Sequence, residues 1–153
     1  MDLYNRINNI YGKNNEEELK KAILNVKQIL SGLVEERTCK IYSSFLVEEL
    51  KKQHVPVRLI NTLDLGLEYE HVFVLVPSNY TGYFLVDLTF SQFNSKSEEL
   101  INLLTNGYQL VDNGILNDYF NIVSKGNCNK NISLDNMFYF NQSVSQNSGY
   151  IKR

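Results

Sequence analysis

Apolar residues recur at helical spacing between positions 15 and 31. Leu19, Ala22, Ile23, Val26, Ile29 and Leu30 share one face of a 3.6-residue period, which predicts a helix. Glu16, Glu17 and Glu18 fill its first turn, where the helix dipole favours negative charge, and Gly32 offers a stop. A second helix is predicted over 39–53. Tyr42, Leu46 and Leu50 form its apolar stripe with Phe45 beside it, and Thr38 stands in the N-cap position. Lys51, Lys52 and His54 populate its C-terminal end, and Pro56 closes it. The pattern then changes to short runs rich in Val, Leu, Ile and Phe. Val55–Leu63, Glu70–Pro77 and Tyr83–Phe90 are predicted strands, and Ser78-Asn79-Tyr80-Thr81-Gly82 carries turn chemistry between the last two. Those two strands are expected to pair as an antiparallel hairpin.

Beyond the hairpin the pattern predicts a helix over 96–105 capped by Ser95 or Ser97, a strand at Gly107–Val111 and a short helix at Leu116–Val123. Met137–Phe140 is one further apolar segment. Residues 1–14 and 141–153 are polar and read as flexible ends of a single domain over 15–140. The expected fold class is α+β: N-terminal helices, the second carrying Cys39, packed on an antiparallel sheet carrying His71 and Asp87.

Composition narrows the functional classes. With 153 residues the chain is long enough to bury one substantial core. A net charge of −2, with Lys and Arg scattered along the chain, implies no basic face, which argues against nucleic acid or a membrane surface as partner. The first residues contain no apolar h-region, so the default reading is a cytoplasmic protein, with signal-independent secretion as an effector left open. The two cysteines, Cys39 and Cys128, are too few for a disulfide framework. Together with His54 and His71 they also lack the spacing of a metal site. No cofactor is expected. Cys128 lies in a polar loop and reads as an exposed thiol, and His54 reads as a solvent-facing helix-end residue.

Three residues stand out chemically. Asp87 interrupts Phe84-Leu85-Val86-Asp87-Leu88-Thr89-Phe90, although Asp is depleted in strands and a buried carboxylate is costly unless paired. The bland alternative is an Asp capping a turn at a strand end. His71 opens the apolar run Val72-Phe73-Val74-Leu75-Val76, where a histidine needs a partner, if only a backbone carbonyl. Centring the turn on Asn79 places His71 directly opposite Asp87, with Cβ atoms roughly 4.5–5.5 Å apart. A carboxylate there holds one imidazole nitrogen and fixes the tautomer. A one-residue slip would put the two on opposite faces.

Cys39 falls in the first turn of the second helix, where unpaired N–H groups and the dipole favour a thiolate. Cysteine is also among the most buried residue types, so position alone favours a structural role. Packed against the His71–Asp87 face, the thiol completes a Cys–His–Asp constellation in which Cys39 attacks a carbonyl, His71 moves the proton and Asp87 orients the imidazole. The Cys39 backbone N–H is the first oxyanion donor, and Gln28, Thr38 and Asn61 are candidates for a second.

These segments together resemble the transglutaminase-like, papain-related superfamily. Thr38-Cys39 opens a helix, Val55-Pro56-Val57-Arg58-Leu59-Ile60 follows as the proline-containing strand, then Glu70-His71-Val72-Phe73-Val74, then Tyr83-Phe84-Leu85-Val86-Asp87-Leu88-Thr89. The stretch covers roughly residues 30–93. Gln53-His54-Val55 stands where a glycine is usual before the proline strand, Phe73 where tryptophan is common, and the Cys39-to-His71 spacing is somewhat short for the family. Asp87 to Phe93 followed by Gly107-Tyr108 is similar to small bacterial members, including glutamine-deamidating effector and toxin domains. The resemblance implies a Cys39, His71, Asp87 triad and acyl transfer on a protein or peptide carbonyl: glutamine deamidation, transglutamination or peptide cleavage. Two rival readings stand beside it. One is N-acetyltransferase-like transfer from acetyl-CoA, which the short chain and lack of a recognisable CoA site disfavour. The other is a binding module that keeps the fold without turnover. The oligomeric state is not legible.

Overall fold

The computed structural model describes residues 15–32, 38–79, 82–126 and 132. Its elements in chain order are α1 (Glu16–Ile29), α2 (Cys39–Lys52), β1 (Arg58–Asn61), β2 (Val72–Asn79), β3 (Gly82–Val86), α3 (Ile101–Asn106), β4 (Tyr108–Val111) and α4 (Asn113–Val123). The expectations for residues 1–14, for Cys128, for Met137–Phe140 and for residues 141–153 lie outside the described residues. The architecture is α+β, with two N-terminal helices and a four-stranded antiparallel sheet in the order β1-β2-β3-β4. Among the described residues, no helix is long and apolar enough to cross a membrane.

Both faces of the sheet are covered. On one, α1 and α2 bring Leu19, Val26, Tyr42, Leu46 and Leu50 against Val74, Val76, Phe84 and Val86. On the other, α3 and α4 bring Leu103, Leu116, Tyr119 and Phe120 against Ile60, Phe73, Leu75 and Leu85. This explains why Val72 to Val76 reads as a continuous apolar run and not as an alternation: every one of those side chains is buried. At the far end of the sheet Asn15 donates through Nδ2 to the Pro77 carbonyl at 2.8 Å, and the Tyr108 hydroxyl donates to Glu16 Oε2 at 2.6 Å, fastening the start of α1.

The predicted strands are trimmed for local reasons. Pro56 has no N–H to give a ladder, so β1 begins at Arg58. It stops where the Asn61 side chain accepts the Leu63 N–H at 3.0 Å and turns Thr62–Leu65 into a 3₁₀ helix. The strand expected over Tyr83–Phe90 ends at Val86, because Asp87 turns its carboxylate onto the Thr89 N–H at 3.0 Å, and Phe90–Phe93 follows as a 3₁₀ turn. The helix expected over 96–105 is split into a 3₁₀ turn at Glu98–Leu100 and α3. Its cause is the Gln109 carboxamide, inserted between two groups that an unbroken helix would join: Oε1 accepts from the Leu103 N–H at 3.0 Å and Nε2 donates to the Glu99 carbonyl. Thr38 and Ser97 take their N-cap positions without a side-chain capping bond.

The hairpin register also differs from the expectation. Val74 faces Val86 and Leu75 faces Leu85, so Asp87 is in register with Phe73 and not with His71. Asn79 pairs with Gly82, and an irregularity between Pro77 and Asn79 sets the rest of the ladder two residues from the expected register. Because side chains alternate with period two, a shift of two residues keeps His71, Phe73, Leu85 and Asp87 on one face.

Gly107 holds the far side of this corner. Its carbonyl accepts the Asp87 N–H at 2.9 Å, its φ is +84°, and a Cβ there would lie 2.6 Å from Leu88 Cδ2. Gly32 shares the left-handed conformation, with φ +93°, but nothing lies within 4 Å of its Cβ position. Gly107→Ala is therefore expected to cost about 2–4 kcal/mol, the sum of backbone strain and a core clash, and Gly32→Ala about 1–2 kcal/mol from strain alone. Urea denaturation of the two variants checks the difference, and equal losses contradict this account of the corner.

Candidate active site

The site lies where β2 begins and β3 has just ended, with the first turn of α2 beside them. His71 and Asp87 are 2% and 3% exposed, values that leave neither charge to water. His71 Nε2 lies 2.7 Å from Asp87 Oδ2. The Cys39 thiol is hydrogen-bonded to the same imidazole and to the Val72 N–H, and it is partly exposed. Asp87 occupies Nε2, so Nδ1 is the nitrogen left to meet the sulfur. The structure thus brings together Cys39, His71 and Asp87, in that order, in one hydrogen-bonded chain.

Each member is held by residues that sequence reasoning did not single out. Thr62 brackets the His71 backbone: its N–H donates to the His71 carbonyl at 2.9 Å, and its Oγ1 accepts the His71 N–H at 2.8 Å while donating to the Tyr69 carbonyl. Phe93 packs edge-on to the imidazole, with ring centroids 4.9 Å apart and planes at 87°. Ser43, one turn beyond Cys39 on α2, donates to the Val72 carbonyl at 3.3 Å and fastens the cysteine-bearing helix to β2. Asp87 Oδ1 accepts from the Thr89 N–H and Oγ1, both at 3.0 Å, and Oδ2 accepts from the Tyr119 hydroxyl at 2.8 Å.

Signals for some of these were present. Asp-x-Thr is an Asx-turn pattern. Leu116, Tyr119, Phe120 and Val123 form a helical stripe, and a tyrosine inside such a stripe needs an acceptor for its hydroxyl. Which acceptor it finds is a long-range fact that local pattern does not carry.

Of the remaining oxyanion candidates, Asn61 is engaged at both ends of its amide. Oδ1 accepts from Leu63 N–H, and Nδ2 donates to Glu70 Oε2 at 2.9 Å. One of its two N–H donors is therefore directed at the loop. Gln28 is exposed on the last turn of α1, and Thr38 takes the N-cap position next to Cys39. The Cys39 N–H belongs to the first turn of α2, outside the intrahelical ladder. Lys40 and Glu70, neighbours of Cys39 and His71 in the chain, form an exposed ion pair at 3.0 Å. His54, just past α2, is exposed with φ +59°, as a helix-end residue.

The electrostatics favour charge separation. Burial pushes the His71 imidazolium down, but the charge and hydrogen bond of Asp87, with the Cys39 contact, overcome it and raise the pKa to about 9. Burial likewise pushes the Cys39 thiol up, yet the hydrogen bond and charge of His71 and the Val72 N–H bring it below its ordinary value of 9.0. A thiolate beside an imidazolium, with the carbonyl of a substrate as electrophile, is the equipment of acyl transfer. Among the described residues, no group of three or more metal-ligating side chains is assembled.

Comparison with family models, curated proteins and solved structures finds no match to this chain.

The charge arrangement fixes an outcome for thiol labelling. Iodoacetamide should modify Cys39 at pH 7 faster than Cys128, by peptide mapping of the same sample, with a pH midpoint below that of an ordinary thiol. In His71→Ala the midpoint should move upward, since burial then acts on the thiol without its counter-charge. A midpoint at or above the ordinary value in the wild type, or one indifferent to His71→Ala, contradicts the pairing.

Proposed function

We propose that the protein is a cysteine-nucleophile enzyme of the transglutaminase-like class that transfers acyl groups from protein or peptide amides through a thioester, with glutamine deamidation or transglutamination ranked ahead of peptide cleavage. The observation that carries this reading is the unbroken hydrogen-bonded run from the thiol at the first turn of α2 through His71 to a buried, fully engaged Asp87. A purely structural cysteine does not call for an imidazole raised to about 9 beside it, nor for a carboxylate taken out of water to keep that imidazole charged. The two N-terminal helices on an antiparallel sheet agree with the resemblance in the order of their parts.

The chemistry follows from the order of contacts. The Cys39 thiolate attacks the carbonyl carbon of a side-chain amide, and the C–S bond forms as the carbonyl electrons move to oxygen. The Cys39 N–H at the helix terminus stabilises that oxyanion. As the tetrahedral intermediate collapses, the C–N bond breaks and His71 gives its proton to the departing nitrogen. Neutral His71 then takes a proton from water, the hydroxide adds to the thioester, and the C–S bond breaks to return the thiolate and a carboxylic acid. Asp87 keeps the imidazole oriented through both halves. An amine in place of water makes the same intermediate a transglutaminase. A backbone amide in place of a side-chain amide makes it a peptidase.

The test is intact-mass spectrometry of candidate protein substrates incubated with wild type and with Cys39→Ala. A gain of about 1 Da per site that depends on Cys39 marks conversion of glutamine to glutamate through the thioester. Fragments mark a peptidase. A Cys39-dependent acetyl adduct with acetyl-CoA marks the acetyltransferase. Absence of any Cys39-dependent change across substrates supports the binding module and overturns the enzyme reading. The reaction should fall as pH rises through about 9, because His71 then lacks the proton it gives the leaving group, and Asp87→Ala should move that loss to lower pH.

A further inference from the structure

The Asp87 carboxylate has four hydrogen-bonding neighbours, and the proposed chemistry uses only one of them. Thr89 supplies two at Oδ1, of which the backbone N–H can only donate. At Oδ2 the Tyr119 hydroxyl, 2.8 Å away, meets the same oxygen that holds His71 Nε2 at 2.7 Å. Tyr119 is fully buried in α4, and its ring packs against Phe73 and Phe90 at centroid distances of 5.1 and 5.6 Å. The hydroxyl is thus delivered by the packed core and does not depend on Asp87 for its position. A phenylalanine would fill that core equally well and would spare the desolvation of a hydroxyl. The oxygen calls for an explanation that packing does not provide.

We infer that Tyr119 is a positioning residue of this site, whose O–H holds Asp87 Oδ2, as Thr89 holds Oδ1, and thereby keeps the His71 proton on Nε2 and leaves Nδ1 bare toward Cys39. The inference rests on the reading of Cys39 as a nucleophile. A phenol has one proton, and with a carboxylate 2.8 Å away that proton points at Oδ2. Burial and the charge of Asp87 both push the Tyr119 pKa well above its ordinary value, so the proton stays on the phenol. Each carboxylate oxygen has two lone pairs, so Oδ2 accepts from the Tyr119 O–H and from His71 Nε2–H together while Oδ1 accepts from the Thr89 N–H. His71 Nε2 is then the donor to Asp87. When the imidazole is neutral its remaining nitrogen, Nδ1, is an acceptor facing the sulfur, as required to take a proton from an incoming thiol or water. Without the phenol, Oδ2 has one partner and can swing away from Nε2. The neutral ring can then carry its one proton on Nδ1, and in that tautomer Nδ1–H cannot accept a proton.

Tyr119→Phe in the full-length protein tests this, with Leu116→Ala as the comparison. Leu116 is buried one turn earlier in α4 in the same cluster, so its truncation lowers stability without touching Asp87. Two readouts are used: the iodoacetamide rate of Cys39 at pH 7, and long-range ¹H–¹⁵N NMR of His71 above pH 9, where the ring is neutral. The expectation for Tyr119→Phe is a fall in labelling of roughly tenfold, as for loss of one hydrogen bond to a charged group, and a mixture of tautomers in place of a single Nε2–H form. Leu116→Ala should lower the melting temperature but keep the wild-type rate and tautomer. A Tyr119→Phe protein with wild-type labelling and a pure Nε2–H tautomer overturns the inference, as does a Leu116→Ala protein that changes both readouts alike. The tautomer is read without turnover, so slow Cys39 labelling in the wild type counts against the nucleophile reading while the NMR still decides the role of Tyr119.

Discussion

A carboxylate buried out of water governs the middle of this molecule. Asp87 is 3% exposed and His71 is 2% exposed, and the desolvation of such a pair costs several kcal/mol per ion before any contact is made. Only complete satisfaction makes this tolerable in a domain whose whole stability is of the order of 5–15 kcal/mol. The surrounding structure reads as a set of answers to that demand. β3 stops at Val86 so that Asp87 can turn onto Thr89. Gly107 takes a left-handed conformation beside Leu88 and accepts the Asp87 N–H. Thr62 pins both backbone groups of His71. The aromatic cluster of Phe73, Phe90, Tyr119 and Phe120 seals the pair from one side, and Phe93 covers the imidazole ring.

The same demand reaches the thiol. A histidine held cationic by a buried carboxylate has one nitrogen left, and the first turn of α2 offers Cys39 to it. The sulfur gains a positive neighbour and a Val72 N–H, and both lower its pKa against the burial that raises it. Ser43 on the same helix locks the approach through the Val72 carbonyl, so a single residue of β2 contacts α2 twice. The exposed Lys40–Glu70 pair nearby is worth little in stability, as solvent-facing ion pairs are, and the positioning of the site falls to the buried contacts.

Much of this was legible along the chain, for reasons that can be named. Polar residues inside apolar strands are expensive, so Asp87 and His71 declared themselves, and helix-start geometry marked Cys39. The amphipathic stripes of α1 and α2 placed the core faces, except that Ile29 and Phe45, expected on or beside them, are exposed. The register differs because turn composition shows neither the closing pair Asn79–Gly82 nor the irregularity between Pro77 and Asn79, and the His–Asp meeting survives only because the net shift is even. Boundaries failed where a side chain replaced a backbone partner: Asn61 at the end of β1, Asp87 at the end of β3, and Gln109 inside what would have been one helix at 96–105. Tyr119 and Thr62 were not foreseen because their roles exist only between distant segments, and the same is true of the choice among oxyanion donors, where Asn61 proved to be directed at Glu70.

The most direct measurement is an NMR titration of His71, simple to assign because the chain has only 2 histidines and His54 is exposed. The account predicts that the His71 imidazolium persists to about pH 9 in the wild type. In Asp87→Asn it should titrate far lower, as burial then acts without the carboxylate. A wild-type His71 that titrates at or below the ordinary 6.5, or that ignores Asp87→Asn, contradicts the claim that this buried pair charges the site.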